Sequence, residues 1–345
     1  MIHAGLGAES DDPDFHLAKM LTIGLNPYGL AYTLGIHAAN TPRANPNPWT
    51  PDQYIAFAES LNVQGIELHA PHLHPIPDDH LRQLRDRINQ NRWWTVLARP
   101  AWTADWPRTI QIAKLLGTKV IRMHLTPVLC GDRTDAKEPW PQRVNQVRRN
   151  LKEVAQQLAD HYLKAAIENH QDFCAEELLD LCESTAPNVG ITLDTANPLA
   201  VGQHPLDFAK TIAPKLLHLH LKDYLVQWTD HGYRLIRCPT GSGCIPFQDI
   251  AGLFKDRTIT AAIEIGALEA RHIKCFDPDY WTHHPPRTVQ QFSKCLAAAR
   301  CRTIPEHKDY RTPWEKSAPP EEITSYERTQ VHQSVTNLKC LGLLT

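Results

Sequence analysis

The chain is predicted to fold as an α/β protein, a (β/α)8 TIM barrel with an N-terminal lead-in and a C-terminal helical extension. Three observations predict it. Short β-branched or alternating apolar segments recur eight times, each followed by a stretch of helical period, which is the pattern of repeated βα units. Parallel strands joined by right-handed crossovers either spread as an open sheet or close on themselves, and eight units suit closure. The length of 345 residues exceeds a typical single domain but falls within the range of one barrel with extensions.

Residues 1–29, rich in Gly, Asp and His and without strong periodicity, form the lead-in, expected over the bottom or side of the barrel. The barrel domain spans 30–302. Its first strand is LAYTLGI (30–36), and the helix PDQYIAFAESLN follows Thr50 as N-cap with Pro51 at the first helical position. GIELH (65–69) and WTVLAR (94–99) are strands two and three, with Trp93 and Trp94 as packing at the barrel bottom. The helix WPRTIQIAKLLG stops at Gly117, a natural C-cap, before strand four, KVIRMHL (119–125). The helix VNQVRRNLKEVAQQLADHY then leads to strands KAAIENH (164–170), VGITLDT (189–195), LLHLHLKD (216–223) and TAAIEI (260–265). Residues 266–286, long and rich in aromatics and histidine, are expected as a pocket lid, and RTVQQFSKCLAAARC closes the ring. Residues 303–345 begin Pro-rich and charged, then offer a helix from about Glu321 whose apolar stripe is Ile323, Val331, Val335, Leu338 and Leu341. That stripe is expected to dock on the barrel, on a second copy or on a small partner subunit.

Composition narrows the function. Basic residues number 36 against 38 acidic, a net charge of −2, so no basic field draws a phosphate backbone and nucleic-acid binding is argued against. No apolar run is long enough to span a bilayer and the start lacks a basic n-region, so no membrane association and a cytoplasmic location are expected. The nine cysteines are scattered singly, without a C-x-x-C pair, and read as reduced thiols.

Residues at the C-terminal ends of barrel strands converge on one pocket. Strand five ends in Glu168, strand six in Asp194, strand seven carries His220 and strand eight ends in Glu264. Period-two alternation sets these side chains inward: His218, His220 and Lys222 share a face, as do Ala166, Glu168 and His170. Three carboxylates and an imidazole converging in a barrel call for a cation, because buried carboxylates without partners are costly. Oxygen donors with one nitrogen suit one divalent ion, Mn²⁺ by preference, with Mg²⁺, Co²⁺ or Zn²⁺ accommodated. Glu67 on strand two and His124 at the end of strand four are further candidates for the pocket wall, and His37 is similar.

The runs E-N-H (168–170), L-D-T-A-N (193–197), H-L-H-L-K-D (218–223), R-C-P-T-G-S-G (237–243) and A-I-E-I (262–265) resemble the xylose-isomerase-like barrel superfamily. The likeness is to its sugar-phosphate isomerase/epimerase group, which includes ketose 3-epimerases, inosose dehydratases and hydroxypyruvate isomerases. It is strong in the second half of the chain and architectural in the first. The resemblance implies metal ligation by Glu168, Asp194, His220 and Glu264, with Glu168 and Glu264 also exchanging the substrate proton as catalytic acid and base. It further implies a sugar or polyol substrate anchored by Arg237; Asn197, His124, Glu67, His170 and Lys222 are the other candidates for contacting it. Many members carry a histidine where this chain has Asn197, so a substrate contact is expected to differ there. The G-S-G at 241–243 lacks phosphate-loop spacing and is expected to shape a loop.

The leading expectation is a metal-dependent isomerase or epimerase that removes a proton beside a carbonyl. The alternatives are a metal-dependent lyase, either a dehydratase or a 3-oxo-glycoside deglycosidase, and a non-catalytic sugar-binding barrel. An apurinic-site endonuclease is argued against by Asn197, by the charge balance and by the lack of D-x-H spacing at Asp230-His231.

Overall fold

The structure is a computed structural model and describes residues 21–103, 105–134 and 138–344. Eight parallel strands close into a barrel: β1 (Leu21–Leu25), β2 (Gly65–His69), β3 (Trp94–Pro100), β4 (Val120–His124), β5 (Lys164–Glu168), β6 (Val189–Asp194), β7 (Leu216–Leu221) and β10 (Ile259–Ile263). Helices alternate with them: α1 (Pro51–Ser60), α2 (Asp78–Gln90), α3 (Trp106–Leu116), α4 (Trp140–Ala159), α5 (Ala175–Thr185), α6 (Pro205–Ile212), α7 (Phe247–Gly252) and α8 (Val289–Ala299). A last helix, α9 (Pro320–Cys340), follows the ring.

Local chemistry sets the boundaries. Thr50 accepts the Gln53 N–H while the Gln53 side chain returns to the Thr50 N–H, which starts α1 before Pro51. Gly117 ends α3 with φ of 75°, a conformation that a Cβ would strain. Along α4, Val147, Leu151, Val154 and Leu158 are buried at helical spacing against the sheet.

The first strand is corrected. Residues 30–36 are not a strand; the barrel strand is LTIGL, paired from Leu21 with Ile259 to Leu25 with Ile263. Asn26 then accepts the Tyr28 N–H and Pro27 opens a short 3₁₀ turn, Pro27–Leu30, so the apolar LAYTLGI run coils across the barrel mouth instead of pairing. The barrel therefore begins at Leu21, not residue 30. The lead-in placement expected for residues 1–20 lies outside the described residues.

A second, antiparallel sheet was not anticipated. β8 (Tyr224–Thr229) and β9 (Gly232–Arg237) form a hairpin between β7 and α7, and β11 (Arg271–Ile273) pairs with β9. The Asp223 carboxylate accepts the N–H groups of Tyr224, Gly241, Gly243 and Ile245, so the G-S-G segment is folded around a carboxylate as a loop device. Among the described residues no helix is long and apolar enough to cross a membrane, and the nine cysteines are unpaired.

α9 docks on this chain's own barrel, with Ile323, Val331, Val335 and Leu338 buried and Leu341 half-buried. At the opposite end of the barrel the Trp94 indole donates to the Thr22 carbonyl at 2.9 Å and lies edge-on to His218. Its slot exists because Gly65 has no side chain: a Cβ there would meet the ring at 2.1 Å. Gly65→Ala is expected to destabilise the fold by about 1–3 kcal/mol through overpacking, measured as a lowered midpoint in urea unfolding at unchanged slope.

Candidate metal centre

Glu168, Asp194, His220 and Glu264 come together at the C-terminal end of the barrel, each from its own strand or the residue after it, with donor atoms all within 4.8 Å of one another. His220 is the hub. Its Nδ1 lies 3.1 Å from Glu168 Oε1 and 2.8 Å from Glu264 Oε2, and its Nε2 lies 2.8 Å from Glu67 Oε2. Burial disfavours the imidazolium, but Glu67, Glu264 and Glu168 together hold the His220 pKa well above its usual value. Lys222 bridges Asp194 and Glu264, reaching Glu264 Oε1 at 2.6 Å. Against the cost of burial, Lys222 and His220 hold the Glu264 carboxyl down to about 2, whereas burial pushes Asp194 up to about 6 despite the ammonium beside it.

The charges do not balance without a further cation. Four carboxylates, Glu67, Glu168, Asp194 and Glu264, face two permanent cations, Arg122 and Lys222. With His220 an imidazolium, as its raised pKa has it, one negative charge stays uncompensated, and with His220 neutral, as ligation requires, the deficit is the charge of one divalent ion. Glu264 Oε2 is buried and meets His220 Nδ1 at 2.8 Å. Spacings of 2.8 and 3.1 Å between these donor atoms match the edge, about 3 Å, of an octahedron with bonds near 2.1 Å. The residues present fit a divalent ion, and the buried His/Glu/Asp cluster could hold one.

A cavity of about 310 Å³ opens onto Glu168 and Glu264 and is also lined by Tyr28, His124, His170, Lys222 and Arg271. Burial holds His124 well below the usual histidine pKa and His170 down to about 4, so both rings are neutral. Their rings lie 4.9 Å apart, and the Nδ1 of each is buried with no partner, a pair of unmet polar atoms suited to sugar hydroxyls.

Three residues expected to touch substrate are placed otherwise. Asn197 is 1% exposed, donates to the Asn169 carbonyl at 2.8 Å and accepts from Gln171 at 3.1 Å, so its amide is spent joining the loops after β5 and β6. Glu67 is fully buried beneath the ligand set and does not line the cavity. Arg237 reaches the cavity wall, but its guanidinium donates to Gln330, Gly266 and Gly29, which makes it a staple between α9 and the loops after β1 and β10. The sequence reading missed Arg122, which alternates with His124 on β4 and so points inward; a charged residue at an inward strand position was the available signal.

The model of the xylose isomerase-like TIM barrel family matches residues 30–298. The chain belongs to this family. Its relative YihM, an uncharacterized protein of Escherichia coli (strain K12), is 31% identical over 207 residues, which is 57% of this chain and 60% of YihM. The match thus spans under two thirds of that relative. Among solved structures, D-psicose 3-epimerase with D-tagatose from Clostridium cellulolyticum H10 aligns with a TM-score of 0.56 at 13% identity, over 94% of this chain and 100% of that one. The probable 3-DHS dehydratase AsbF of Bacillus anthracis aligns at 0.51 and 16% identity, over 71% and 92%. These two likenesses are of fold.

Proposed function

We propose that this xylose isomerase-like barrel is a divalent-metal-dependent isomerase or epimerase of a sugar or polyol, Mn²⁺ being the preferred ion. The observation that carries the reading is the pair Glu168 and Glu264, held across His220 and both lining one sugar-sized cavity beside two neutral, unmet histidines. Bound among Glu168, Asp194, His220 and Glu264, the ion would polarise a hydroxyl–carbonyl pair and acidify the neighbouring C–H. On this reading Glu264 takes that proton once the ion has replaced the present contact between its Oε2 and His220 Nδ1, and Glu168 or the Lys222 ammonium returns it. His124 and His170 accept substrate hydroxyls through Nδ1.

One feature supports elimination as the second reading. Glu168 Oε2 is already engaged by Arg122 at 3.0 Å, while Lys222 supplies an ammonium beside the base Glu264, the acid and base that loss of a β-leaving group requires. The fold likenesses, one to an epimerase and one to a probable dehydratase, favour neither.

Incubation of the Mn²⁺-loaded protein with D-fructose, D-tagatose and D-psicose in heavy water tests this. Deuterium uptake into recovered sugar without loss of a leaving group is the expected result. Dehydrated product would establish the lyase reading. Undiminished turnover or exchange in a Glu168→Gln/Glu264→Gln double variant would overturn the proton-transfer roles.

A further inference from the structure

Beneath the four ligand residues, the barrel interior holds a charged pair that neither lines the cavity nor belongs to the ligand set. Glu67, from β2, is fully buried, and Arg122, from β4, is 1% exposed. Arg122 Nε and Nη2 both donate to Glu67 Oε1, at 2.9 and 2.8 Å, and Nη1 donates to Glu168 Oε2 at 3.0 Å. The other Glu67 oxygen, Oε2, lies 2.8 Å from His220 Nε2.

A carboxylate only accepts, so the 2.8 Å Glu67 contact calls for a proton on His220 Nε2, and the Glu264 contact calls for one on Nδ1 as well until an ion takes its place. Asn26 Nδ2 stands farther off, at 3.3 Å from the same nitrogen, and its orientation is fixed because Asn26 Oδ1 accepts the Tyr28 N–H at 2.7 Å. With Nε2 committed downward to Glu67, Nδ1 is the nitrogen facing Glu168 and Glu264. Metal-binding histidines are generally aimed in this way, their second ring nitrogen donating to a carboxylate.

Glu67, His218 and His220 also lie close enough to hold an ion by themselves. Two observations argue against that. The Arg122 guanidinium on Oε1 already balances the charge of Glu67, and the His218 ring is held through Nδ1 by Thr260 Oγ1 at 2.8 Å and packed edge-on against Trp94, which leaves its Nε2 3.5 Å from Glu67 Oε2.

We propose that Glu67 and Arg122 act as a positioning pair for the metal site: Glu67 fixes the tautomer and direction of the His220 ring, and Arg122 ties Glu67 to Glu168 so that two ligands, from β7 and β5, are set by one ion pair. The proposal rests on the metal-site reading. It makes Glu67 a residue that acts through His220 and never touches substrate.

The test removes both charges together. Glu67→Leu/Arg122→Met leaves neither partner buried alone and leaves the site's charge deficit unchanged, so a change in ion affinity reports positioning and not net charge. Folding is checked by circular dichroism and thermal melting. Titration calorimetry with Mn²⁺ should then show affinity about 10–100-fold weaker than wild type. In the Zn²⁺-loaded protein, wild type should show a slowly exchanging His220 Nε2–H resonance that the double variant loses, a signature that mere loosening elsewhere would not move. Should the double variant fail to fold, Glu67→Gln, which keeps shape and one acceptor, is titrated in its place and should show a smaller loss in the same direction. Wild-type affinity together with a retained Nε2–H signal in a folded variant would overturn the positioning pair alone. Failure of the wild-type protein to bind any divalent ion would overturn the metal site and the pair with it.

Discussion

Glu264→Gln should lower turnover by about 10²–10⁴-fold, the span that a lost general acid or base commonly costs. The substitution is nearly isosteric, and its amide oxygen can still accept from Lys222 in place of Glu264 Oε1. What disappears is an oxygen able to hold a proton at the position of Oε2, on a side chain that lines the cavity. Because an amide is also a poor metal ligand, Mn²⁺ affinity must be measured alongside and the rate taken at saturating ion. A fall in kcat at saturation, with loss of deuterium exchange, is the expected outcome. Recovery of wild-type kcat at high Mn²⁺ would leave Glu264 a ligand only and assign proton transfer to another group. Glu168→Gln should cost turnover too, but its Oε2 is already engaged by Arg122, so the effect on ion affinity should weigh more and the effect on exchange less.

Much of this site was legible because barrel topology turns sequence endings into spatial neighbours. Glu168, Asp194, His220 and Glu264 lie within a few residues of strand ends that alternate cleanly, so inward-facing polarity could be read strand by strand. The first strand was misread for a local reason. LAYTLGI is the more apolar run, whereas LTIGL is short and carries Gly24, whose missing side chain leaves room for Trp94 and the Gly65 carbonyl. Apolar content marked a segment that covers the mouth, and the true strand was disguised by a glycine whose purpose is tertiary. The β8–β9 hairpin had a usable signal, alternation on both sides of Asp230-His231 with Gly232 at φ 145°, that was passed over because it interrupts the βα rhythm. Hydrogen bonds across the barrel were beyond sequence reasoning: nothing in the spacing of Glu67, Arg122 and Asn197 says that their polar atoms are already spent on one another and on neighbours.

The C-terminal helix is the other such case, and removing its central carboxylate should have the largest effect on stability. Glu327 is completely buried on α9, accepts the N–H groups of Tyr32 and Thr33 at 3.0 and 2.8 Å and the Thr33 hydroxyl at 2.7 Å, and is the main counter-charge to Arg237. Through these contacts and the Arg237 bonds to Gly29 and Gly266, α9 holds the segment after β1 that carries Tyr28 into the cavity. Glu327→Ala strands two backbone donors and leaves a buried guanidinium with neutral partners only, which should destabilise the chain by about 3–5 kcal/mol in urea unfolding. Glu327→Gln keeps one acceptor and should fall between that and wild type. The decisive readout is local. Amide exchange over residues 29–35 should accelerate in Glu327→Ala under conditions where the barrel strands remain protected, because the helix is then a clamp on the pocket wall. If exchange rose only within α9 itself, the helix would be a cap that melts alone, and the pocket would owe it nothing.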